Sequence, residues 1–248
     1  MSRVPRLHIQ GHFAGGDVTL DADTAHRLRN VLRLGSGDAV RLFNAESGEF
    51  AATLIELSKS RGVARLDARL REPGRDEGPW LVAAAIKRAP LDTLVEKAVE
   101  LGVSEIHPIV TERTNVERVN AARLDAIAIS AAEQCERIDP PIIAAPVTLR
   151  EKLANWPRDR RILLCAEAGT SIPLAQALAG LDFAAAWAIM VGPEGGFAPV
   201  ELEMLAAHPL VTGVGLGPTI LRADTAALAA LAAFQLASPR ARQAPRAF

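Results

Sequence analysis

Apolar positions change their period near residue 75. Before it they fall in short alternating runs, VPRLHIQ (4–10), AVRLFNA (39–45), GEFAATLIEL (48–57) and GVARLDARL (62–70), parted by GG, GSGD, ESGE and SRG. Alternation puts every second side chain on one face of a strand, and the interruptions carry turn chemistry. One helix interrupts the strands, from Thr24 to Leu32, with Ala25, Leu28, Val31 and Leu32 at helical spacing and Asp21 or Asp23 as its cap. The pattern predicts a small β-barrel-like unit.

The stretch EPGRDEGP, Glu72 to Pro79, is rich in Pro, Gly and charge and reads as a linker. The barrel is thereby assigned to residues 1–72, the linker to 73–79 and a second domain to 80–248. Beyond the linker, WLVAAAI is a continuous apolar run, as a strand buried on both faces would be. LDTLVEKAVELGV follows with Leu91, Leu94, Val95 and Ala98 on one helical face and Gly102 at its end. IHPIVT is a strand and AARLDAIAISAAEQCERI a long helix. RILLCAEA, AAWAIMV and VTGVGLG are further strands, each followed by a Gly-containing loop and a helical pattern. This alternation predicts an α/β domain with a mainly parallel sheet. The tail SPRARQAPRAF lacks periodicity and is expected to be mobile.

Composition changes this picture little. The 248 residues carry a net charge of −1. Divided at residue 75, the first part has 12 basic and 9 acidic groups and the second 16 and 20. The slightly basic barrel hints at an anionic partner. No run of eighteen apolar residues escapes charge or turn signals, and MSRVPRLHIQGHF has no apolar segment of the signal-peptide kind. A cytoplasmic protein without membrane contact is expected. The two cysteines, Cys135 and Cys165, and the five histidines show no metal-ligand spacing, so no metal is expected.

Candidate chemistry gathers at strand ends. AIMVGPEGGF runs a buried strand into three glycines within five residues, with a helix starting near Pro199. Glycines let the backbone approach a ligand closely; a tight strand-to-helix turn would also require them. The loop matches neither G-x-G-x-x-G nor a phosphate-cradling P-loop. In GVGLGPTILRADTAALAALAAF, Arg222 is one cation in an apolar segment at a strand end, where an Arg is usually paired or on a ligand. Asp224 and Thr225 could serve as helix caps there. The helix after them is apolar almost all round, fitting deep core or a subunit interface. A third loop follows RILLCAEAG, at Cys165–Gly169.

The loops GPEGGF and LGPxILRxxTA, in that order near the C-terminal end, resemble the bacterial 16S ribosomal RNA uridine N3-methyltransferases of the trefoil-knotted SPOUT class. The resemblance runs nearly end to end. AHRLRNVLRLGSGDAVRLFN resembles that family's PUA-like barrel. KRAPLDTLVEKAVELGVSEIHPIVTERT matches at Lys87, Lys97, Glu100, Leu101, Gly102, Pro108 and Arg113, and AAEQCER at Glu133, Gln134 and Arg137. The resemblance implies an N-terminal PUA-like β-barrel, a C-terminal mainly parallel α/β domain with a deep trefoil knot, a homodimer, and S-adenosylmethionine held largely by backbone groups of three loops. Mapped onto this chain, the cofactor residues are Leu164, Ala166, Glu167, Gly192, Pro193, Gly195, Gly196, Leu216, Gly217, Ile220, Leu221, Arg222 and Thr225. The chain departs from the family at Thr219 (usually Arg), at Ala223-Asp224 (usually Thr-Glu), at Glu136 (commonly Gly) and at Ala198 (often Ser or Thr).

The implied reaction must take a proton from uracil N3. A carboxylate can accept it, and a cation can stabilise the developing imide anion. Arg222 is the candidate cation, and Glu194 and Asp224 are the candidate base or supporting carboxylate. Phosphate contacts with 16S rRNA in the small subunit are assigned to Arg27, Arg29, Arg33, Lys87, Arg88, Arg113 and Arg137, any one of which would also read as a solvated surface cation. A methyltransferase of the same class acting on another RNA, a non-catalytic RNA-binding scaffold of this fold and a Rossmann-like nucleotide enzyme remain as alternatives.

Overall fold

The computed structural model describes residues 4–114, 119–166 and 171–239. The candidate Glu167 and the tail beyond Pro239 lie outside the described residues. The chain divides into two units, one of Met1–Arg75 with Ala132–Pro140, the other of Asp76–Ala131 with Pro141–Phe248.

The first unit contains β1 (Arg6–His8), β2 (Asp17–Leu20), α1 (Ala22–His26), β3 (Ala39–Asn44), β4 (Gly48–Leu57) and β5 (Gly62–Arg71). They form one sheet in the order β1-β3-β4-β5-β2, parallel only between β1 and β3. Three register shifts between β4 and β5 bend it, because each bulge adds a residue to one strand and increases local twist. The bent sheet encloses Leu7, Phe13, Leu20, Leu28, Val40, Leu42, Phe50 and Leu54. Strand β2 falls outside the alternating runs; only Leu20 of its four residues is buried.

The helix starts two residues earlier than expected. Asp21 caps it, with Oδ1 accepting from the Thr24 amide at 2.7 Å. It then widens into a π turn over Arg27–Val31, in which the Leu32 amide reaches back to the Arg27 carbonyl. The wider turn carries Val31 and Leu32 off the buried face, and they are 66% and 37% exposed. The helical spacing that grouped them with Leu28 is therefore corrected by the extra residue in the turn.

Ala132–Pro140 belongs to this unit because Arg6 holds it. The Arg6 guanidinium donates to the carbonyls of Ala132, Glu133 and Arg137 and pairs with Glu49, itself 2% exposed. Burial alone would raise the Glu49 pKa, but Arg6 and Arg71 hold it below the usual carboxylate range. A single cut at 73–79 misses this segment. Glu136 lies within it at φ +64°, in the left-handed region that favours glycine.

The second unit holds β6 (Trp80–Ala84), α2 (Arg88–Glu100), β7 (Glu105–Val110), α3 (Ala121–Cys135, whose last turn lies in the first unit), β8 (Ile142–Ile143), β9 (Val147–Thr148), α4 (Leu149–Ala154), β10 (Arg160–Cys165), β11 (Ile172–Pro173), α5 (Leu174–Ala179), β12 (Ala186–Val191), α6 (Pro199–Ala207), β13 (Val211–Gly215) and α7 (Ala223–Ala237). The sheet is parallel, in the order β11-β13-β10-β12-β6-β7-β8, with β9 also on β7. Alternate residues Val82, Ala84, Ile162, Leu164, Ala188 and Met190 share one core with Leu149, Trp156, Phe197 and Leu205. Helix α7 packs on β10 and β12 and against α2 and α5. It buries the stripe Ala223, Ala226, Ala227, Ala230, Leu231 and Phe234.

The amino end of the sheet carries a charged cluster. Lys152 Nζ lies 2.9 Å from His107 Nδ1, and His107 Nε2 lies 2.9 Å from a Glu105 carboxylate oxygen. The Arg160 guanidinium stacks 3.8 Å from the Trp80 ring centre. Burial, with Lys152 and Arg160 beside it, pushes His107 down to about 3. The unfolded chain protonates this ring near pH ~6.5 while the folded chain refuses the proton, so stability is lost as pH falls from about 6.5 towards 3. His107→Gln keeps an acceptor for Lys152 and cannot titrate. Urea midpoints measured from pH 7 to 4 are expected to fall less steeply in the variant than in the parent chain.

Candidate cofactor and RNA site

Strand β10 lies between β12 and β13, and all three run parallel. Their registers end together: Cys165 is level with Val191 on one side and Val214 on the other. The loops leaving these strands therefore emerge side by side at the carboxyl edge, where open α/β sheets bind ligands. Strand β6 pairs with β12 on the far side, with Ala83 level with Val191, so the β6–α2 turn joins the same edge.

The loop Gly192–Phe197 is shaped by close contact. Phe197 is 5% exposed, and a Cβ on Gly192 would lie 2.9 Å from its ring. The chain turns at Pro193–Gly196, closed by the Gly196 amide on the Pro193 carbonyl at 2.9 Å, with Gly196 at φ +68°. Gly192 and Pro193 are buried, whereas Glu194, Gly195 and Gly196 are exposed. The Glu194 side chain has no hydrogen-bond partner among the described residues, and the amides of Glu194 and Gly195 donate to none of them.

The loop after β13 exposes Gly217, Thr219, Ile220 and Arg222, with Leu216 and Leu221 half-buried. Ile220 is 81% exposed, an unusual position for a large apolar side chain. Arg222 is the N-cap residue of α7 and makes no side-chain hydrogen bond or ion pair with the described residues. The helix-cap reading of Asp224 and Thr225 is corrected: the helix begins at Ala223 without a side-chain cap, and Asp224 Oδ1 accepts the adjacent Thr225 amide at 2.8 Å. Thr225 is exposed.

After β10, Ala166 is half-buried. Leu164 is a core residue of the strand, 6% exposed, so its side chain supports the edge from beneath. Burial pushes the Cys165 thiol up to about 12, which leaves it inert.

The assigned cations separate into groups. Lys87, the N-cap residue of α2, and Arg88 are exposed at the carboxyl edge without side-chain partners among the described residues. Arg113 lies in the loop after β7 and donates Nη1 to the Gly195 carbonyl at 3.0 Å, so it braces the glycine loop. In the first unit, Arg29 and Arg33 are exposed, and Arg33 sits at φ +58° just past the π turn. Arg27 is paired with Glu133. Arg137 is 8% exposed, so its phosphate assignment is corrected: it is too buried to present a guanidinium to RNA.

Sequence reasoning missed Glu201. It lies on α6, is 8% exposed, and each carboxylate oxygen accepts a backbone amide at 2.8 Å, from Ala198 and from Glu112. Its place three residues after the N-cap is the recoverable signal, since glutamate there accepts the N-cap amide, one half of a capping box whose other half an alanine cannot supply.

The two units, a bent five-stranded sheet and a parallel sheet with loops gathered at one edge, match the class of RNA methyltransferases. The family model described as an RNA methyltransferase domain matches residues 77–235, and that of an RNA methyltransferase PUA domain matches 20–67. Ribosomal RNA small subunit methyltransferase E of Rickettsia conorii is 34% identical, covering 93% of this chain and 95% of its own. The protein of the same name from Synechocystis is 33% identical, over 87% and 71%. A crystal structure of this methyltransferase from Neisseria gonorrhoeae, bound to S-adenosyl methionine, superposes with a TM-score of 0.82 at 30% identity, over 94% of this chain and 98% of that one. The chain belongs to the ribosomal RNA small subunit methyltransferase E family.

The geometry of the glycine loop predicts its sensitivity. Gly192→Ala is expected to destabilise the chain by about 1–3 kcal/mol, because the Phe197 ring must leave its place in the core. Gly196→Ala is expected to cost about 1–2 kcal/mol through its left-handed backbone alone. Urea unfolding of both variants checks the order.

Proposed function

We propose that this chain transfers a methyl group from S-adenosylmethionine to N3 of one uridine in 16S rRNA of the small ribosomal subunit, as a cytoplasmic homodimer. The observation that carries the reading is the alignment of the β10, β12 and β13 ends. It brings the loops after β12 and β13, with their unspent backbone amides and an Arg222 that has no partner among the described residues, to the edge where β10 also ends.

The residues fit the cofactor. The amides of Glu194, Gly195, Thr219 and Ile220 donate to no described residue and suit a ligand rich in acceptors. Gly192, Pro193, Gly196, Leu216, Gly217 and Leu221 supply close backbone approach and apolar wall, with Ala166 and Thr225 at the margin. S-adenosylmethionine, when bound, supplies a methyl group already activated on a sulfonium. The trefoil knot belongs to this proposal, and the return of β13 to the far side of β10 is compatible with it.

The chain's own work is alignment and charge. Arg222 stabilises the imide anion that forms as uracil N3 loses its proton. Glu194 accepts that proton. Its carboxylate is exposed and uncommitted, whereas an Asp224 oxygen is engaged by Thr225, which makes Asp224 the supporting carboxylate. Arg29 and Arg33, with Lys87 and Arg88, position RNA through its phosphates; Arg27 contributes less because Glu133 offsets its charge. The face offered to a second copy is the apolar groove of Leu178, Leu181, Phe183, Ala233 and Leu236, the last 78% exposed.

Mass mapping of 16S rRNA from a strain lacking the gene is expected to show the loss of one methyluridine, restored by the intact gene. An unchanged map sinks the substrate assignment, and a lost methyl in another RNA redirects it. Arg222→Ala is expected to lower turnover at least ~100-fold while S-adenosylmethionine affinity by calorimetry stays within about threefold. Charge reversal of Arg29 and Arg33 together is expected to weaken RNA binding and flatten its dependence on salt by about two counterions.

A further inference from the structure

We infer that Glu201 and Arg113 are positioning residues for the cofactor loop, which makes the turn after β7 a working part of the site. This rests on the function proposed above. Glu201 is 8% exposed, and its Oε2 and Oε1 accept the Ala198 and Glu112 amides, each at 2.8 Å. An ionised carboxylate offers acceptors only, so it satisfies both donors at once. A helix cap needs just the first of these bonds. The second, to Glu112, ties the start of α6 to a different loop.

The residue beside Glu112 completes the brace. Arg113 Nη1 donates to the Gly195 carbonyl at 3.0 Å, and its stem runs within 3.6 Å of where a Gly195 Cβ would stand. The turn that carries both residues is itself closed, with Thr114 Oγ1 accepting the Thr111 amide at 2.9 Å. The segment Gly195–Ala198 is thus held at one end by Arg113 and at the other by Glu201, which is itself tied through the Glu112 amide to the turn that carries Arg113. Ala198 strengthens the dependence. It has no side-chain oxygen for the first turn of α6, so among the described residues Glu201 supplies the one side-chain bond at that helix start.

Glu201→Gln keeps the shape but replaces one acceptor with a donor that faces a backbone N–H. Arg113→Met removes the link to Gly195 and keeps most of the stem. Calorimetry with S-adenosylmethionine and steady-state kinetics with 16S rRNA are run on each variant, on the pair and on Arg113→Lys. Each single variant is expected to raise the cofactor Kd and KM about tenfold while the RNA KM stays within about twofold. The pair is expected to cost less than the product of the singles, because both act through one loop. Arg113→Lys is expected to recover part of the loss. Wild-type cofactor affinity in both single variants overturns the inference, as does an Arg113→Met effect confined to RNA. Should Glu201→Gln fail to fold, the two Arg113 variants decide. A parent chain that itself does not bind S-adenosylmethionine overturns the proposed function; binding by the parent with unaffected variants overturns this inference alone.

Discussion

The arrangement of the second unit depends on the parallel pairing of β10 with both β12 and β13. Because these strands run the same way and end level, one edge of the sheet receives three loops at once. The pairing is possible because Ile162–Cys165 and Trp187–Val191 are buried on both faces. A strand with one polar face would have had to leave the middle of the sheet. The core beneath the edge also determines the loop above it. Phe197 belongs to the same cluster as Leu164 and Met190, and its ring occupies the space a Gly192 side chain would need. Packing and site geometry are therefore one constraint.

The first unit depends on a buried charge instead. Glu49 and Arg6 are nearly inaccessible, and such a pair is costly to desolvate. The pair persists because its remaining valences are filled: Arg71 reaches Glu49 as well, and Arg6 spends its other donors on carbonyls at the end of α3. Four unsatisfied carbonyls at a helix end need partners, and a guanidinium supplies several. A residue six positions from the start of the chain thereby fixes a segment beyond residue 130. Loss of Glu49 would leave the Arg6 guanidinium buried without a carboxylate, whereas loss of Arg6 would leave Glu49 to Arg71 and Arg41 and free the carbonyls at the end of α3.

Period and turn chemistry made the regular elements legible from sequence. β4 occupies the residues of its alternating run, and β6, β7, β10, β12 and β13 each lie on a predicted strand, because burial forces apolar runs of the right length. Strand β2, the two-residue strands and α4 were not legible. They are too short for a period to register, although Thr148 and Glu151 form a capping box at α4. The π turn was hidden because apolar spacing assumes 3.6 residues per turn. Glycine loops could be read as ligand loops, but their adjacency could not: strand order is set by packing between distant segments. For the same reason Glu201, whose partners are backbone amides, left only a faint trace in composition, and Arg137 looked like a surface cation until its burial was known.

Arg222 shows how a local misfit argues for function. The first turn of α7 presents unsatisfied amides and the positive end of the helix dipole, a setting that favours anions. Yet the N-cap residue is a cation, exposed and without a partner among the described residues, and Asp224 in the same turn is engaged by Thr225. Folding alone would favour Ser, Asp or Asn at that position. The misfit is relieved when an anion or a group developing negative charge lies near Arg222, since cation and helix end then attract it together. A net charge of −1 over the whole chain conceals this, because what matters chemically is one cation held where the helix alone would not place it.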